Sequence, residues 1–461
     1  MIGELARRGE VAVVGLGRSG RAVSILLKRH GATVYASDGG AGDSLQAVAA
    51  ELRAVGVDAE AGGHDLDRIS RASVVVVSPG VPPGAPPLAC AAARGVPILS
   101  EVEVALAYLS ASRYIAITGT NGKSTVTALV AHLLRALGHD AVAAGNIGLA
   151  LSEVALAPSS PAWVALEMSS FQLHDTPRLA PAVGVLTNLA PDHLDRYRTL
   201  EDYYADKQRL FANATDTSVW VTNADDAEVQ RRTTSVRGRH QRFSLRDRGG
   251  DAFLSSGGEL VLLGAALMPR AGLPLLGEHN VANALAAALA ALAALAVLPA
   301  VGVHGADEAR NRIARALASF RGMPHRLEVV ADRDGVLWIN DSKATNVSSA
   351  RVAIEGMTRP SVVLLGGRHK GEPYTGLAGA LERHARLVLA FGEAAARIEA
   401  DLAGRVPVER AGSSFDDVMA RARAAARPGD AVLLSPACSS FDMFTNYEER
   451  GAAFRRAAQS P

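Results

Sequence analysis

The segment ITGTNGKST, residues 117–125, holds the residue types that bind a nucleoside triphosphate. It follows an apolar run and opens a helical pattern. Its glycines let backbone N–H groups approach phosphate oxygens, its lysine offers a cation to the β- and γ-phosphates, and the hydroxyls that follow can bind Mg²⁺. The position five before the second glycine is Ile117 rather than glycine, so the loop departs from the strict pattern. The residues concerned are Gly119, Gly122, Lys123, Ser124 and Thr125.

Groups that could hold magnesium follow two further apolar runs. Glu167 ends the run AWVALE, and α/β sheets place their ligands at the carboxyl ends of strands. Asp192, His193 and Asp195 lie in the turn NLAPDHLDRY after the run AVGVLT. Helix capping explains the two aspartates as well as metal binding does, and a solvent-facing histidine is an alternative for His193. Lys207, in the helical stretch YYADKQRLF, is by itself an ordinary surface lysine.

A second glycine-rich loop lies near the start of the chain, in VAVVGLGRSGRAV at residues 11–23. Gly15, Gly17 and Gly20 have the spacing of a dinucleotide-binding turn, where a helix N-terminus attracts a diphosphate. Asp38 ends the next apolar stretch, near the place where an acid holds a ribose hydroxyl. On these residues alone a nicotinamide oxidoreductase is a reasonable hypothesis. No residue of the first block suggests the acid or base that hydride transfer needs.

Both loops need parallel sheets to position them, and the chain shows the alternation of strands and helices that builds such sheets. The pattern starts three times, so we predict three α/β domains: residues 1–102, 103–322 and 323–461. The polar stretch 246–258 predicts a turn between short strands, and residues 332–335 predict a hairpin. The alanine-rich stretch 281–297 predicts a packed helix.

Composition favours an ordinary globular protein. The 461 residues are 48% hydrophobic and 21% charged, and the formal net charge is +1, so nothing indicates nucleic acid as a partner. No leader is evident and no apolar run is long enough to span a bilayer, so we expect a cytoplasmic protein without a membrane partner. Cys90 and Cys438 are the only cysteines, which speaks against a disulfide framework or a cysteine-based zinc site.

The order of motifs along the chain resembles the Mur ligase family, and the resemblance covers essentially the whole sequence. Seven spaced motifs agree in order, which a single glycine loop never does. These motifs are TGTNGKST, GNIG at 145–148, EMSSFQL at 167–173, NLAPDHLDRY, Lys207, GEHNVANALAA from residue 277, and MPHR at 323–326.

The C-terminal third resembles the members of this family that add D-glutamate to UDP-N-acetylmuramoyl-L-alanine. The matching segments are NDSKATN at 340–346, LLGGRHKG at 364–371 and LLSPACSSFDMFTNYEERG at 433–451. One residue departs from the expected Gly-Gly-x-Asp-Lys-Gly pattern, since His369 stands at the position of the aspartate.

The resemblance implies an ATP-dependent amide ligase that works through an acyl phosphate, with two Mg²⁺ ions and a carbamylated Lys207. It implies a Rossmann-like N-terminal domain, a central ATPase domain of the P-loop type and a C-terminal Rossmann-like domain. The first glycine loop then holds the UDP part of the substrate rather than a nicotinamide. We expect a cytoplasmic monomer whose ligands are UDP-N-acetylmuramoyl-L-alanine, D-glutamate and ATP.

The resemblance also assigns roles to residues at matching positions. The catalytic residues are Lys123, Glu167, His193 and Lys207. The metal ligands are Ser124, Thr125, Glu167, His193 and carbamylated Lys207. The ATP contacts are Gly119, Thr120, Asn121, Gly122, Lys123, Ser124, Thr125, Asn280, Asn283, Arg326, Asp341 and Lys343. The UDP-substrate contacts are Gly15, Gly17, Ser19, Gly20, Asp38, Gly39, Ser78, Gly80, Asn146, Ser169 and Gln172. The D-glutamate contacts are Thr345, Lys370, Ser440, Phe441 and Tyr447.

Three other hypotheses remain open at this point. A sister ligase would use the same mechanism with another amino acid. A nicotinamide oxidoreductase would change NADH absorbance without consuming nucleotide. A binding protein that kept the fold and lost turnover would not need Lys123, Glu167, His193 and Lys207, all of which are present.

Overall fold

The computed structural model describes residues 2–193, 196–246, 249–297 and 305–460. Three sheets succeed one another along the chain, each with helices between its strands. This confirms the predicted three-domain α/β architecture.

The first sheet has the strand order β3-β2-β1-β4-β5 and is parallel throughout. Its central strands are runs of valine and alanine buried on both faces, as a parallel sheet covered by helices requires. The strands are β1 (Val11–Val14), β2 (Val34–Asp38), β3 (Asp58–Ala61), β4 (Val74–Val77) and β5 (Ile98–Ser100). The helices are α1 (Ile2–Arg8), α2 (Arg18–Arg29), α3 (Asp43–Ala54), α4 (Leu66–Ile69), α5 (Pro86–Ala93) and α6 (Glu101–Leu106).

The second sheet has nine strands in the order β14-β13-β12-β11-β10-β9-β6-β8-β7. It is parallel from β7 to β12 and ends in two antiparallel pairs. The strands are β6 (Arg113–Thr118), β7 (Ala141–Gly145), β8 (Trp163–Glu167), β9 (Val183–Leu186), β10 (Val219–Asn223), β11 (Arg239–Ser244), β12 (Ala252–Leu254), β13 (Glu259–Leu262) and β14 (Ala265–Pro269). The helices are α7 (Lys123–Ala136), α8 (Leu151–Leu156), α9 (Ser170–His174), α10 (Leu200–Gln208), α11 (Ala227–Thr233), α12 (Glu278–Ala296) and α13 (Ala306–Ser319).

The third sheet has the order β15-β16-β20-β17-β18-β19, and only the β15–β16 pair is antiparallel. The carboxyl ends of the adjacent strands β16, β20 and β17 therefore meet at one edge. The strands are β15 (Glu328–Arg333), β16 (Val336–Asn340), β17 (Ser361–Gly366), β18 (Ala385–Phe391), β19 (Val408–Arg410) and β20 (Ala431–Leu434). The helices are α14 (Val347–Glu355), α15 (Ala378–His384), α16 (Ala395–Leu402), α17 (Phe415–Ala425) and α18 (Tyr447–Gln459).

One expectation about the second sheet is corrected in part. The stretch 246–258 is not a turn throughout, because it contains the short strand β12, which pairs with β11 and β13. Strand β3 also lies outside the predicted runs, since its sequence DAEA alternates acidic and small residues at an edge of the sheet. The hairpin at 332–335 is present as the turn between β15 and β16.

The contacts divide the chain into two compact units. One consists of Met1–Arg270 with Asn283–Leu317 and holds the first two sheets; the other consists of Ala271–Ala282 with Ala318–Pro461 and holds the third. Among the described residues, only α12 has the length and apolar composition of a membrane span. Because 72% of that apolar window is buried inside the protein, α12 is a packed helix, as its sequence predicted.

Candidate active site

The first glycine loop is shaped by close backbone contacts. A Cβ atom at Gly20 would lie 1.7 Å from the carbonyl oxygen of Gly15, so only glycine allows helix α2 to start this close to β1. Gly15 itself has φ +96°, a conformation that favours glycine. The hydroxyl of Ser78, after β4, donates to Gly15 O at 3.1 Å. The loop therefore has a fixed shape at the start of a helix.

Asp38 organises the neighbouring loop at the end of β2. Its two carboxylate oxygens accept hydrogen bonds from Leu16 N at 2.8 Å and from Gly40 N at 2.9 Å. His64 lies beside Gly39, and its Nδ1 is 2.8 Å from Ser37 Oγ. His64 was not singled out by its sequence, because its partner lies 27 residues away.

These loops enclose a cavity of about 590 Å³ at the carboxyl end of the first sheet. Seven of the eleven residues assigned to the UDP substrate line this one cavity. They are Gly15, Gly17, Ser19, Asp38, Gly39, Ser78 and Gly80. Arg18 and His64 line it too, and they add a cation and an imidazole to the wall.

The second glycine loop joins β6 to α7. Cβ atoms at Gly119 and Gly122 would lie 2.0 Å from Thr187 Oγ1 and 2.4 Å from Asn283 Oδ1. The loop thus packs directly against Asn283, one of the residues assigned to ATP. Lys123 Nζ donates to the carbonyl oxygens of Gly119 at 3.0 Å and of Thr120 at 2.8 Å, which holds the ammonium over the loop.

Polar residues after β9 support this loop and were not predicted individually. Asn121 N donates to Asn188 Oδ1 at 2.9 Å, and Thr187 Oγ1 donates to Asn121 O at 2.7 Å. Tyr203 Oη lies 3.3 Å from Thr120 Oγ1. Strands β9, β6 and β8 are neighbours, so their carboxyl ends bring these residues and Glu167 to one edge of the sheet.

Glu167, at the end of β8, is 2% exposed. Its Oε1 accepts a hydrogen bond from Asn146 Nδ2 at 3.0 Å, while its Oε2 is buried and has no hydrogen-bond partner among the described residues. A buried carboxylate oxygen without a donor is costly unless a cation neutralises it. Asn146, assigned to the UDP substrate, is thus also a neighbour of the assigned metal ligand.

Lys207 on α10 is buried at 2% exposure, unlike a surface lysine. Its Nζ donates to Gly119 O at 2.7 Å and lies 4.7 Å from the centre of the Tyr203 ring. Desolvation, with the charge of Lys123 as a second cause, lowers the pKa of Lys207 well below its usual range. Helix α10 therefore places a buried, desolvated amine against the second glycine loop.

His193 has positive φ of 54° and keeps 46% of its side chain exposed. Its ring lies edge-on to Phe171 and Tyr203, with centroid distances of 5.4 Å and 6.0 Å. Asp192 accepts a hydrogen bond from His193 N at 2.9 Å through Oδ1. Asp195 lies outside the described residues, so its suggested role stays a prediction.

Ser169 and Gln172, also assigned to the UDP substrate, form a capping box at the start of α9. Gln172 Oε1 accepts from Ser169 N at 3.0 Å, and its Nε2 is buried with no hydrogen-bond partner among the described residues. Gln172 and Ser78 both line a second cavity of about 720 Å³ between α5 and α10. His174, whose role the sequence left open, also lines it and pairs with Asp206 at 2.8 Å.

The helix α12 carries the last two ATP-assigned asparagines of the central region. Asn280 and Asn283 are each 7% exposed, and Asn280 Nδ2 donates to Leu276 O at 2.8 Å.

The third sheet presents a second group of assigned residues. Asp341, after β16, accepts from Leu327 N at 3.2 Å and from Ser435 Oγ at 2.8 Å. Burial raises its pKa to about 7, and the charge of Arg326 opposes the shift. The residues on either side of Arg326 both have positive φ, His325 at 63° and Leu327 at 44°.

The residues assigned to D-glutamate lie on the loops after β16, β17 and β20 and at the start of α18. Lys370 Nζ donates to Thr345 Oγ1 at 3.3 Å. Tyr447 contacts Lys343, whose Nζ is 5.4 Å from the ring centre, so an ATP-assigned residue meets a D-glutamate-assigned one. Ser440 is buried and Phe441 is 60% exposed.

Three family models match successive parts of this chain. They are the Mur ligase MurD-like N-terminal domain at residues 9–100, the Mur ligase middle domain at 117–291 and the Mur ligase glutamate ligase domain at 325–438. A UDP-N-acetylmuramoylalanine–D-glutamate ligase of Salinibacter ruber is 40% identical over 98% of this chain and 98% of its own length. The chain belongs to the Mur ligase family. A relative of the same name from Chromobacterium violaceum is 41% identical over 96% of each chain.

Solved structures of Mur ligases share the fold. The UDP-N-acetylmuramate–alanine ligase MurC of Thermotoga maritima matches with a TM-score of 0.60 at 20% identity, over 98% of this chain and 99% of its own. MurF of Thermotoga maritima, solved in complex with ADP, matches with a TM-score of 0.61 at 16% identity, over 93% of this chain and 95% of its own.

Proposed function

We propose that this chain is an ATP-dependent ligase that joins D-glutamate to UDP-N-acetylmuramoyl-L-alanine. This is the activity for which its relatives at about 40% identity are named. It works in the cytoplasm as a monomer and supplies a precursor of peptidoglycan. The observation that carries the proposal is the cluster at the edge of the second sheet, where the glycine loop, Glu167 and buried Lys207 meet.

The proposed reaction has two steps. A carboxylate oxygen of the L-alanyl group forms a bond to the γ-phosphorus of ATP, and the bond from that phosphorus to the β-γ bridging oxygen breaks, which gives an acyl phosphate and ADP. The amine of D-glutamate then attacks the acyl carbon, phosphate leaves and the amine loses a proton, which gives the amide. Phosphoryl transfer of this kind depends on positioning and charge neutralisation. Lys123 and the backbone N–H groups of the loop from Gly119 to Thr125 suit that task.

The residues present fit a magnesium ion at this loop. Glu167 offers a buried carboxylate oxygen without a donor, and the hydroxyls of Ser124 and Thr125 lie at the start of α7. Oxygen ligands of this kind suit Mg²⁺, which neutralises phosphate charge when bound. Among the described residues no three His, Cys, Asp or Glu side chains cluster as a protein-only metal centre would require. Substrate phosphates and water would complete the coordination of such an ion.

Carbamylation of Lys207 would provide the acidic ligand that a second ion needs beside His193. A lowered pKa increases the share of neutral amine, and the neutral amine attacks CO₂ to give a carbamate and release a proton. The product is an anion, which removes the repulsion between Lys207 and Lys123 and turns the lysine into a ligand for a cation. Protein equilibrated with ¹³C-labelled bicarbonate should show one carbamate carbon signal by NMR that Lys207→Ala lacks, and its absence from the wild type would contradict this assignment.

Each of the three proposed domains binds a different ligand. Residues 1–102 take the UDP group in the cavity around Asp38, residues 103–322 take ATP, and residues 323–461 take D-glutamate beside Lys370. Asn146, Ser169 and Gln172 take the muramoyl part, and Ser440, Phe441, Thr345 and Tyr447 complete the amino-acid site. Arg326, Asp341 and Lys343 reach ATP.

A sister activity that adds another amino acid is the second candidate, because a solved structure with this fold is named as an alanine ligase. Phosphate release from ATP decides between the two. The purified protein is given UDP-N-acetylmuramoyl-L-alanine and, separately, D-glutamate, L-glutamate, glycine or L-lysine. We expect turnover with D-glutamate above all others. Faster turnover with any other amino acid would overturn the proposed function.

A further inference from the structure

The loop that carries Lys370 is fixed to its neighbour on one side. Residues 367–373 connect β17 to the 3₁₀ turn Tyr374–Leu377. Arg368 N donates to Ser439 O at 2.9 Å, and Ser439 Oγ donates to Arg368 O at 3.2 Å. These bonds fix the backbone up to Arg368, so the position of Lys370 depends on what holds the next residue, His369.

His369 is anchored through a hydroxyl to the protein interior. Its Nδ1 lies 3.0 Å from Tyr374 Oη, and Tyr374 Oη lies 2.9 Å from Cys438 Sγ. Tyr374 is 1% exposed and Cys438 is fully buried, whereas His369 lies at the surface. Cys438 lies on the loop after β20, two residues before Ser440. The chain of three side chains thus ties the Lys370 loop to the loop of another assigned residue.

The direction of the hydrogen bonds follows from the protons that the three groups hold. Burial raises the pKa of the Cys438 thiol to about 11 and raises the pKa of Tyr374 as well, so both keep their protons at neutral pH. The tyrosine has a single proton to donate. An imidazole nitrogen is a better acceptor than a thiol sulfur, so that proton goes to His369 Nδ1 and leaves Tyr374 Oη to accept from the thiol. The thiol therefore donates to Tyr374, the tyrosine donates to His369 Nδ1, and the imidazole proton lies on Nε2.

We propose that His369 is a positioning residue for substrate binding: the Cys438–Tyr374 pair holds it as the Nε2–H tautomer and so keeps Lys370 beside Thr345. This rests on the proposed role of Lys370 in binding a carboxylate of D-glutamate. The proposal also assigns a role to His369 as the residue at which this chain departs from the Gly-Gly-x-Asp-Lys-Gly pattern. An imidazole carries no negative charge, so it does not compete with the substrate carboxylate for the ammonium, as a carboxylate beside Lys370 would.

The tautomer can be measured without any substrate. In ¹⁵N-labelled protein, NMR should show His369 as a single Nε2–H tautomer at neutral pH. In Tyr374→Phe, which keeps the ring and removes the hydroxyl, the two tautomers should mix as in a free imidazole. A wild-type His369 in the Nδ1–H form, or a tautomer ratio unchanged by Tyr374→Phe, would overturn the proposal even if the chain ligates D-glutamate.

Kinetics test the consequence for Lys370. Tyr374→Phe should raise the KM for D-glutamate about tenfold, the factor expected from one lost hydrogen bond. The KM for ATP and kcat should stay within about twofold. His369→Ala should do the same, and His369→Gln, whose carbonyl oxygen accepts from Tyr374, should recover most of the affinity.

Arg368→Ala is the matched control on the same loop. It removes an exposed side chain that pairs with Glu393 and leaves the backbone bonds to Ser439 in place, so the KM for D-glutamate should not change. If Tyr374→Phe fails to fold, the surface variant His369→Ala carries the test alone. An unchanged KM in His369→Ala, or equal rises in the KM for D-glutamate and ATP, would refute the positioning role. A wild type that does not use D-glutamate at all would refute the proposed function instead.

Discussion

Gly17 and Gly20 lie in one loop, yet a methyl group added at these two positions would meet different surroundings. At Gly20 the new carbon would overlap Gly15 O at 1.7 Å, whereas at Gly17 it meets no atom within 4 Å. Gly17 also has φ −63°, which any residue adopts. We expect Gly20→Ala to lower the free energy of unfolding by roughly 2 kcal/mol or more, because the helix has to move away from the strand.

Gly17→Ala is the matched variant for this comparison. It should leave stability within about 0.5 kcal/mol of the wild type, since it strains nothing. It should nevertheless weaken binding of the UDP substrate, because Gly17 lines the cavity and the added methyl group would lie where the diphosphate approaches. Urea unfolding and calorimetric titration with the UDP substrate separate the two effects. Equal loss of stability in both variants would contradict the packing argument.

Lys123→Ala addresses the division of labour between the two glycine loops. It should abolish acyl-phosphate formation while the UDP substrate binds nearly as in the wild type, because Lys123 contacts the second loop and lies outside the cavity of the first. Phosphate release and titration with the UDP substrate measure the two quantities. Loss of both in a folded variant would show that the loops do not act separately.

At the scale of elements, helix α6 contains a carboxyl group that affects the stability of the fold and has no assigned role in the reaction. Glu101 is 1% exposed and its Oε1 accepts a hydrogen bond from Ser152 N on α8. Desolvation raises its pKa from 4.5 to about 7. Between these two values the folded chain keeps the proton and the unfolded chain loses it, so stability falls as the pH rises through this window. The full loss, on the order of 3 kcal/mol, is reached above pH 7.

Glu101→Gln should remove that loss. The variant should exceed the wild type in free energy of unfolding at pH 8, and the difference should shrink toward pH 5, where the wild-type carboxyl is protonated in the folded state. Urea unfolding at the two pH values measures it. Glu103→Gln on the same helix is the control, because Glu103 is equally buried but paired with Arg178, so its substitution should destabilise the protein instead. A pH-independent effect of Glu101→Gln would refute the argument.

The strands that sequence patterns predicted are those with continuous apolar runs, such as VVVV in β4. Strand β3 was not predicted from the sequence, because its exposed residues are acidic and alternate with the less exposed alanines, a pattern that also fits a loop. In the site, the glycine loop was evident from its residues because phosphate binding there is local. Lys207 was assigned only through the family resemblance, since its burial depends on Gly119, 88 residues away. The contact of Tyr374 with Cys438 spans 64 residues, and no local pattern reveals it.

At the scale of the whole molecule, the proposed reaction needs groups from both compact units, because Lys123 belongs to one and Lys370 to the other. An acyl phosphate exposed to water would hydrolyse, so the ligands have to exclude solvent before the amine attacks. We expect ATP and the UDP substrate together to reduce the radius of gyration in solution scattering more than either does alone. A crosslink that holds the domains of Lys123 and Lys370 apart should permit nucleotide binding and block ligation. Full activity of the crosslinked protein, with scattering unchanged by every ligand, would contradict domain closure.

The division of the chain into units also bears on how the protein is made. Residues 271–282 belong to the unit of the third sheet, yet they leave the ribosome before 283–317, which belong to the other unit. Leu276 packs against the core beneath the third sheet, whose strands are all synthesised later. Leu276 therefore lacks the core that it packs against in the folded chain until the strands of the third sheet have been synthesised. For the same reason, an expression fragment that begins at residue 323 would lack part of its own core, and a single proteolytic cut would not separate the units cleanly.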